Sequence, residues 1–197
     1  MNFDPRPILL EGLHVRLEPI APGHAAGLFA AGNRPEEWTW ALTPEFGSLA
    51  EVERWIADAL KQQAAGTEVT WATVRRSDGV VVGSTRFLDI RRGHRALEIG
   101  STWIAREAQR TALNTEAKLL QLRHAFDDLG AVRVQLKTDE RNEPSRRAIA
   151  RIGGVFEGIL RNYQTRYDGF VRNTAMYSLV AADWFAARTQ LETRLRR

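Results

Sequence analysis

The residues best suited to chemistry lie in one stretch, Trp103 to Leu129, which reads as the end of a strand, a short loop and a helix. Thr102-Trp103-Ile104 end the strand and Ala105 to Leu113 make the connection. Asn114-Thr115-Glu116-Ala117-Lys118 then open a run in which Leu119, Leu122, Phe126 and Leu129 recur at spacings of three, four and three, one face of a helix. A helix that begins straight after a loop has backbone N–H groups without partners at its positive end, so this junction suits a phosphate or pyrophosphate. The loop Gln109-Arg110-Thr111-Ala112-Leu113-Asn114 is not glycine-rich and has no lysine followed by Ser or Thr at its end. That excludes a kinase-like or ATPase-like phosphate loop. Small size at Ala112 lets an anion come close, and Asn114 is a good helix N-cap.

Composition removes other chemistries. Without cysteine there is no disulfide, thiolate metal site or cysteine nucleophile. His14, His24 and His94 have no metal-ligand spacing, and His124 falls at the core edge of the central helix, so no metal is expected. The net charge of +4 comes almost wholly from arginine, with lysine only at Lys61, Lys118 and Lys137, all spread among acidic residues. This argues against a nucleic-acid surface, although a modest positive field favours an anionic cofactor. With 197 residues, 44% of them hydrophobic, the chain suits one substantial core and a single domain over 1–197. No apolar run approaches the ~20 residues of a membrane span, and Met1 to Arg6 has no signal-peptide core, so a cytoplasmic protein without a membrane partner is expected.

The elements that must position the loop follow from periodicity. Leu13 to Ile20 alternates as a half-buried strand with Leu13, Val15 and Leu17 inward, and Pro22 opens a short helix carrying Leu28 and Phe29. Pro35 to Gly47 holds Trp38, Trp40, Leu42 and Phe46 without a period, which suits either a loop folded on the core or a cleft wall. Ser48 and Glu51 form a capping box ahead of Val52, Trp55, Ile56, Ala59 and Leu60 at helical spacing. Val69 to Val74, Val80 to Leu88 and Ala96 to Ile104 make a three-stranded meander, its first turn being Ser77-Asp78-Gly79. After the central helix come a strand with Val132, Val134 and Leu136, a polar connection, and a helix opened by Pro144 with Ala148, Ile149 and Ile152 inward and Gly153-Gly154 at its end. Two strands, Val155 to Arg166 and Arg172 to Val180, precede a last helix from Ala182, with Arg194, Arg196 and Arg197 at its negative end.

Gln109, Thr115, Glu116 and Ala117 resemble the acyl-CoA loop of the GNAT superfamily of N-acetyltransferases, whose pattern Gln/Arg-x-x-Gly-x-Gly/Ala precedes a helix often opening Thr-Glu-Ala. Ala112 and Asn114 depart from that pattern. Asn142-Glu143-Pro144-Ser145 resembles the superfamily's Asn-x-x-Ala/Ser segment, without its later tyrosine. With Glu98-Ile99-Gly100, these motifs are most similar to the RimJ/RimL type, the acetyltransferases of ribosomal-protein N-termini and their relatives. The resemblance covers essentially the whole chain. It implies an α+β, three-layer fold: a central mixed, mostly antiparallel twisted sheet of about seven strands, flanked by helices and splayed to hold acyl-CoA.

The function implied is transfer of an acetyl group from acetyl-CoA to a primary amine, a protein N-terminus or a small molecule, by direct attack in a ternary complex, in a monomer or homodimer. By the resemblance, acetyl-CoA lies between the strand ending at Trp103 and Ile104 and the strand Val132 to Lys137. Gln109, Arg110, Thr111, Ala112, Leu113, Asn114 and Thr115 bind its pyrophosphate and Asn142 its pantetheine arm, while one of Arg146, Arg147 and Arg151, with Arg147 the chosen candidate, reaches its 3′-phosphate. Ser145 would hydrogen-bond the sulfur. Glu98, on one strand face with Gly100 and Thr102, is the candidate general base unless it only pairs with an arginine such as Arg86, and Gly100 would supply the bulge that opens the strand. Trp38, Trp40, Arg86, Tyr163 and Tyr167 are the expected acceptor-binding residues. The alternative, supported by the altered loop and the missing tyrosine, is a catalytically silent acyl-CoA-binding or protein-interaction module.

Overall fold

Period-two segments assemble into one twisted sheet in the computed structural model, which describes residues 3–34 and 38–196. Its strands are β1 (Leu10–Glu11), β2 (Val15–Pro19), β3 (Val69–Arg75), β4 (Val81–Arg91), β5 (Ala96–Ile104), β6 (Arg133–Asp139), β7 (Val155–Thr165) and β8 (Val171–Val180). The α-helices among the described residues are α1 (Ala25–Gly32), α2 (Leu49–Ala64), α3 (Ala112–Arg123), α4 (Glu143–Arg151) and α5 (Ala181–Leu195). The spatial order is β1-β2-β3-β4-β5-β6-β8-β7, and among the described residues only β5 and β6 run parallel. The extra strand beyond the expected seven is β1, whose two residues are too few to display a period. Met1, Pro35 and Arg197, which figured in the sequence expectations, lie outside the described residues.

The two faces of the sheet bury different helices. Val15, Leu17, Trp71, Phe87, Leu97, Ile99, Val134 and Leu179 pack with residues of α3 and α5, including Leu119, Leu122, Trp184 and Leu191. Trp71 and Phe87 meet edge to face at 4.9 Å in the middle of this layer, a pair worth about 1 kcal/mol beyond its buried area. On the other face Ile20, Ala72 and Val74 pack with Leu28 of α1, Val52 and Ile56 of α2, and Trp38 and Phe46 of the loop between them.

Capping decides where the helices start. The Ser48 hydroxyl accepts from the Glu51 N–H at 3.3 Å, while the Glu51 carboxylate returns to the Gly47 N–H at 2.9 Å, one residue outside the expected box. α3 begins at Ala112, and its N-cap is Thr111, whose Oγ1 accepts from the Leu113 N–H. Asn114 is therefore inside the first turn and does not cap the helix.

Leu13 also departs from expectation, being 79% exposed in the β1–β2 turn. The buried Glu116 carboxylate holds that turn, accepting from the N–H groups of Leu13 (2.8 Å), His14 (2.6 Å) and Val15 (2.8 Å). A Cβ on Gly12 would stand 2.3 Å from Glu116 Cδ, so the glycine leaves room for the carboxylate. Hydrogen bonds to a charged acceptor contribute about 1.5–3 kcal/mol each, so Glu116 fastens the N-terminal hairpin to α3. The Glu of the Thr-Glu-Ala motif thus has a structural task.

Candidate active site

β5 and β6 are parallel neighbours, and their pairing stops early. Ala96, Leu97 and Glu98 pair with Arg133, Val134 and Gln135, after which the strands diverge. β5 remains paired to β4 as far as Ile104, and β6 to β8 as far as Asp139. The result is a fork between two strands, each held on its outer edge, with inward-facing backbone groups available to an extended polar chain.

A bulge shapes the β5 side of the fork. Ser84 pairs with Trp103 and Arg86 with Gly100, so β5 has one residue more than β4 in this interval. The residue in left-handed conformation is Ser101, φ +46°, and not Gly100. The extra residue reverses the alternation beyond it. Thr102 consequently turns to the α3 face, where its hydroxyl meets Thr85 Oγ1 and Lys118 Nζ, both at 2.8 Å. It does not share a face with Glu98. Gly100 matters through its missing side chain, because a Cβ there would stand 2.7 Å from Glu98 Oε1.

Glu98 lies at the root of the fork and is 2% exposed. Its Oε2 accepts from Lys137 Nζ at 2.9 Å and Gln135 Nε2 at 3.1 Å. Lys137 and Gln135 alternate along β6 on the same face as Glu98, which is why they converge on it. The expected alternative partner, Arg86, is instead bonded to Glu68 at 2.7 Å and stacks over Trp55. The sequence assigns neither Lys137 nor Gln135 a role beside Glu98, although their period-two spacing in an expected strand is a usable signal.

The far end of the fork is bounded by the starts of α3 and α4. In the preceding loop Gln109 Nε2 donates to the Ile104 carbonyl at 2.9 Å, and Arg110 takes a left-handed conformation, φ +60°. Thr111 Oγ1 also donates to the Ala108 carbonyl, closing the turn. The first-turn N–H groups of α3 then have no intrahelical acceptors, and Ala112 adds little bulk beside them. The Leu113 and Ile104 side chains are buried in the core, so these two residues can face the fork only through backbone, while the half-buried Trp103 packs on Trp38 and Phe46. Asn114 Oδ1 is buried without a partner, and Thr115 follows in the same turn.

At α4, Asn142 is the N-cap, its Oδ1 accepting from the Ser145 N–H at 3.1 Å, which leaves the amide NH₂ to donate elsewhere. Among the described residues the Ser145 hydroxyl has no hydrogen-bond partner. Arg146 is occupied by the Tyr177 hydroxyl and the Glu140 carbonyl, whereas Arg147 is 70% exposed and only loosely paired with Glu143.

The remaining candidates divide between core and cleft. Trp38 is 4% exposed, packs on Phe46 and Trp103 and donates its indole N–H to the Gly32 carbonyl, so it belongs to the core and not to the acceptor wall. Trp40 lies over Arg141, which also covers Phe170 and is fixed by the fully buried Asp139. Tyr163 stands over Lys137 Nζ, 5.3 Å from its ring centre, beside the Glu98 pair. The Tyr167 N–H donates to the Leu42 carbonyl, Arg166 to that of Thr39 and Arg172 to that of Trp40. Three bonds therefore tie the loop between α1 and α2 to the β7–β8 hairpin and close one end of the face that carries Glu98.

This arrangement has known counterparts. Residues 14–155 match the acetyltransferase (GNAT) domain family. The crystal structure of a GCN5-related N-acetyltransferase from Brucella melitensis is 31% identical, with TM-score 0.91 over 98% of this chain and 87% of the other. An uncharacterized N-acetyltransferase of Bacillus subtilis, YoaA, is 27% identical over 87% of this chain and 96% of its own length. Mycobacterium smegmatis RimJ in complex with CoA-disulfide has the same fold, with TM-score 0.82 over 95% of each chain, at 21% identity.

Proposed function

Because the chain belongs to the GNAT acetyltransferase family, we propose that it transfers the acetyl group of acetyl-CoA to a primary amine, by direct attack within a ternary complex. The observation that carries this reading is the early end of β5–β6 pairing with a buried carboxylate at the root of the fork. The residues present suit the cosubstrate. The first-turn N–H groups of α3 other than that of Leu113, opening at Ala112, receive the pyrophosphate, with Arg110 beside them. The Asn142 amide donates to the pantetheine arm, and the exposed Arg147 reaches the 3′-phosphate. Bound acetyl-CoA supplies the activated acyl group.

The protein's own groups then act on the acceptor. Lys137 and Gln135 both hold Glu98 Oε2, which leaves Oε1, on the Gly100 side, to take a proton from the incoming ammonium directly or through one water. The neutral amine nitrogen bonds to the acetyl carbon, the carbon–sulfur bond breaks, and the second proton lost by the nitrogen goes to the departing thiolate, which leaves as free thiol. Backbone N–H groups at the Ser101 bulge stabilise the developing oxyanion, and the Ser145 hydroxyl bonds to the departing sulfur. The RimJ/RimL-type reading rests on the three sequence motifs, and a protein N-terminus or a small amine both satisfy this chemistry. Incubating the protein with acetyl-CoA and a panel of primary amines, with free thiol followed over time, tests the reading. Amine-dependent thiol release supports it, whereas tight acetyl-CoA binding without turnover for any amine indicates a silent binding module.

A further inference from the structure

Four cations around the Glu98 face have carboxylate partners within reach. Arg86 pairs with Glu68 at 2.7 Å, Lys137 with Glu98 at 2.9 Å, Arg141 with Asp139 at 2.7 Å and Arg166 with Asp168 at 3.3 Å. The fifth cation, Arg172 of β8, has no carboxylate partner among the described residues, yet it is the most enclosed arginine of the set, 5% exposed. Only neutral oxygens meet its guanidinium: Nη1 donates to the Trp40 carbonyl at 3.2 Å and Nη2 to Gln164 Oε1 at 2.8 Å. Its Nε is buried and unpartnered. Of five N–H donors, the fixed fork therefore has most to offer a further acceptor.

A buried cation without a counter-charge costs several kcal/mol, and proteins rarely keep one unless something supplies the missing charge. Burial accordingly lowers the Arg172 pKa, with Asp139 and Glu98 near enough to raise it and Arg166 and Arg141 near enough to lower it. Along β8, Ser178, Met176 and Thr174 stand opposite Gln135, Lys137 and Asp139, and period two continues to Arg172, which puts it on the face that carries Glu98. We propose that the acceptor carries a carboxylate a few bonds from its amine, and that Arg172 receives this carboxylate while the amine meets Glu98. The planar guanidinium fork matches a carboxylate's two oxygens. The closed end of the face favours a small amino acid over a polypeptide, because the loop carbonyls of Thr39, Trp40 and Leu42 are bonded across it.

This assignment rests on the acetyltransferase reading and is tested separately from it. The wild-type protein and Arg172→Gln are assayed for thiol release with acetyl-CoA and matched acceptor pairs, β-alanine and 4-aminobutyrate against their carboxamides, in which the amine is nearly unchanged. A peptide with aspartate at position 2 is compared with its asparagine twin. Wild-type kcat/KM should be at least about tenfold higher for the small carboxylates than for their amides, since an unpaired buried donor set penalises the analogue. In Arg172→Gln that ratio should fall close to one. A wild-type ratio near one overturns the proposal even if the variant does not fold, as does a ratio that survives in a folded variant, or a preference confined to the aspartyl peptide. If no amine releases thiol, the acetyltransferase reading fails by itself. Thermal shifts of the CoA-loaded protein with the same pairs then decide the Arg172 assignment: equal shifts for acid and amide overturn it, and a larger shift for the acids, lost in Arg172→Gln, sustains it.

Discussion

Replacing Lys118 with methionine should stabilise the protein, most strongly at and below neutral pH. Lys118 is 5% exposed between α3 and the sheet, and among the described residues its ammonium meets only Thr85 Oγ1, Thr102 Oγ1 and Gln121 Oε1, each at 2.8 Å. Burial with no carboxylate partner pushes its pKa from 10.5 down to about 7. Below about pH 7 folded and unfolded chains both carry the proton, so the whole cost of burying the charge is present. Between about 7 and 10.5 the unfolded chain holds one proton more, and wild-type stability rises with pH by up to about 1.4 kcal/mol per unit. The cost removed by methionine is then on the order of 3–5 kcal/mol at low pH, fading towards pH 10.5. Methionine approximates the volume, and the acceptors left behind keep one another, Thr85 with Thr102 at 2.8 Å and Thr85 with Gln121 at 3.1 Å. Urea unfolding of both proteins at several pH values from about 6 to 10 reads the difference, in which other titrating groups cancel. A pH-independent difference, or a variant less stable throughout, would refute the account of Lys118 as an unpaired buried charge.

Glu98→Gln should lower turnover roughly 100-fold, with the deficit shrinking at high pH where free amine is abundant. Because it also strips Lys137 of its counter-charge, melting must be measured in parallel; a lower melting temperature with an unchanged shape of the pH–rate profile would mean that Glu98 only pairs with Lys137. Ser145→Ala should reduce kcat and leave the KM for acetyl-CoA nearly unchanged, since a bond to sulfur strengthens as charge develops there. Asn142→Ala should raise that KM and, by uncapping α4, cost about 1 kcal/mol of stability; identical kinetic defects in the two variants would contradict their separate roles. Ala112→Val should weaken acetyl-CoA binding by at least ~1 kcal/mol in calorimetry by crowding the first turn of α3, and unchanged affinity would move the pyrophosphate elsewhere.

Much of the scaffold was legible without coordinates because local rules and burial agree there. Ser48 and Glu51 start α2, the expected strand Ala96 to Ile104 is the whole of β5, and Gly153 at φ +96° stops α4 as its type predicts. The failures have specific causes. The β1–β2 turn depends on Glu116, about a hundred residues away in sequence, so nothing local warned that Leu13 would be exposed. Thr111 and Asn114 are both good caps, and only the side chain bonded to the Leu113 N–H decides between them.

What the sequence determined by itself is the chemistry on offer: no thiol, a carboxylate in a predicted strand, a small residue at a helix start, and an Asn and a Ser at another. These follow from residue type and short-range periodicity, which a one-dimensional pattern preserves. The tertiary structure alone decided the partners. One inserted residue at Ser101 rotated Thr102 towards Lys118 and away from Glu98, since a bulge reverses every side chain beyond it. Parallel pairing of β5 with β6 gave Glu98 to Lys137 and not to Arg86, and packing of the β7–β8 hairpin against the loop of Trp40 left Arg172 buried without a carboxylate. Charges act through space, and strand order with register sets which of them meet.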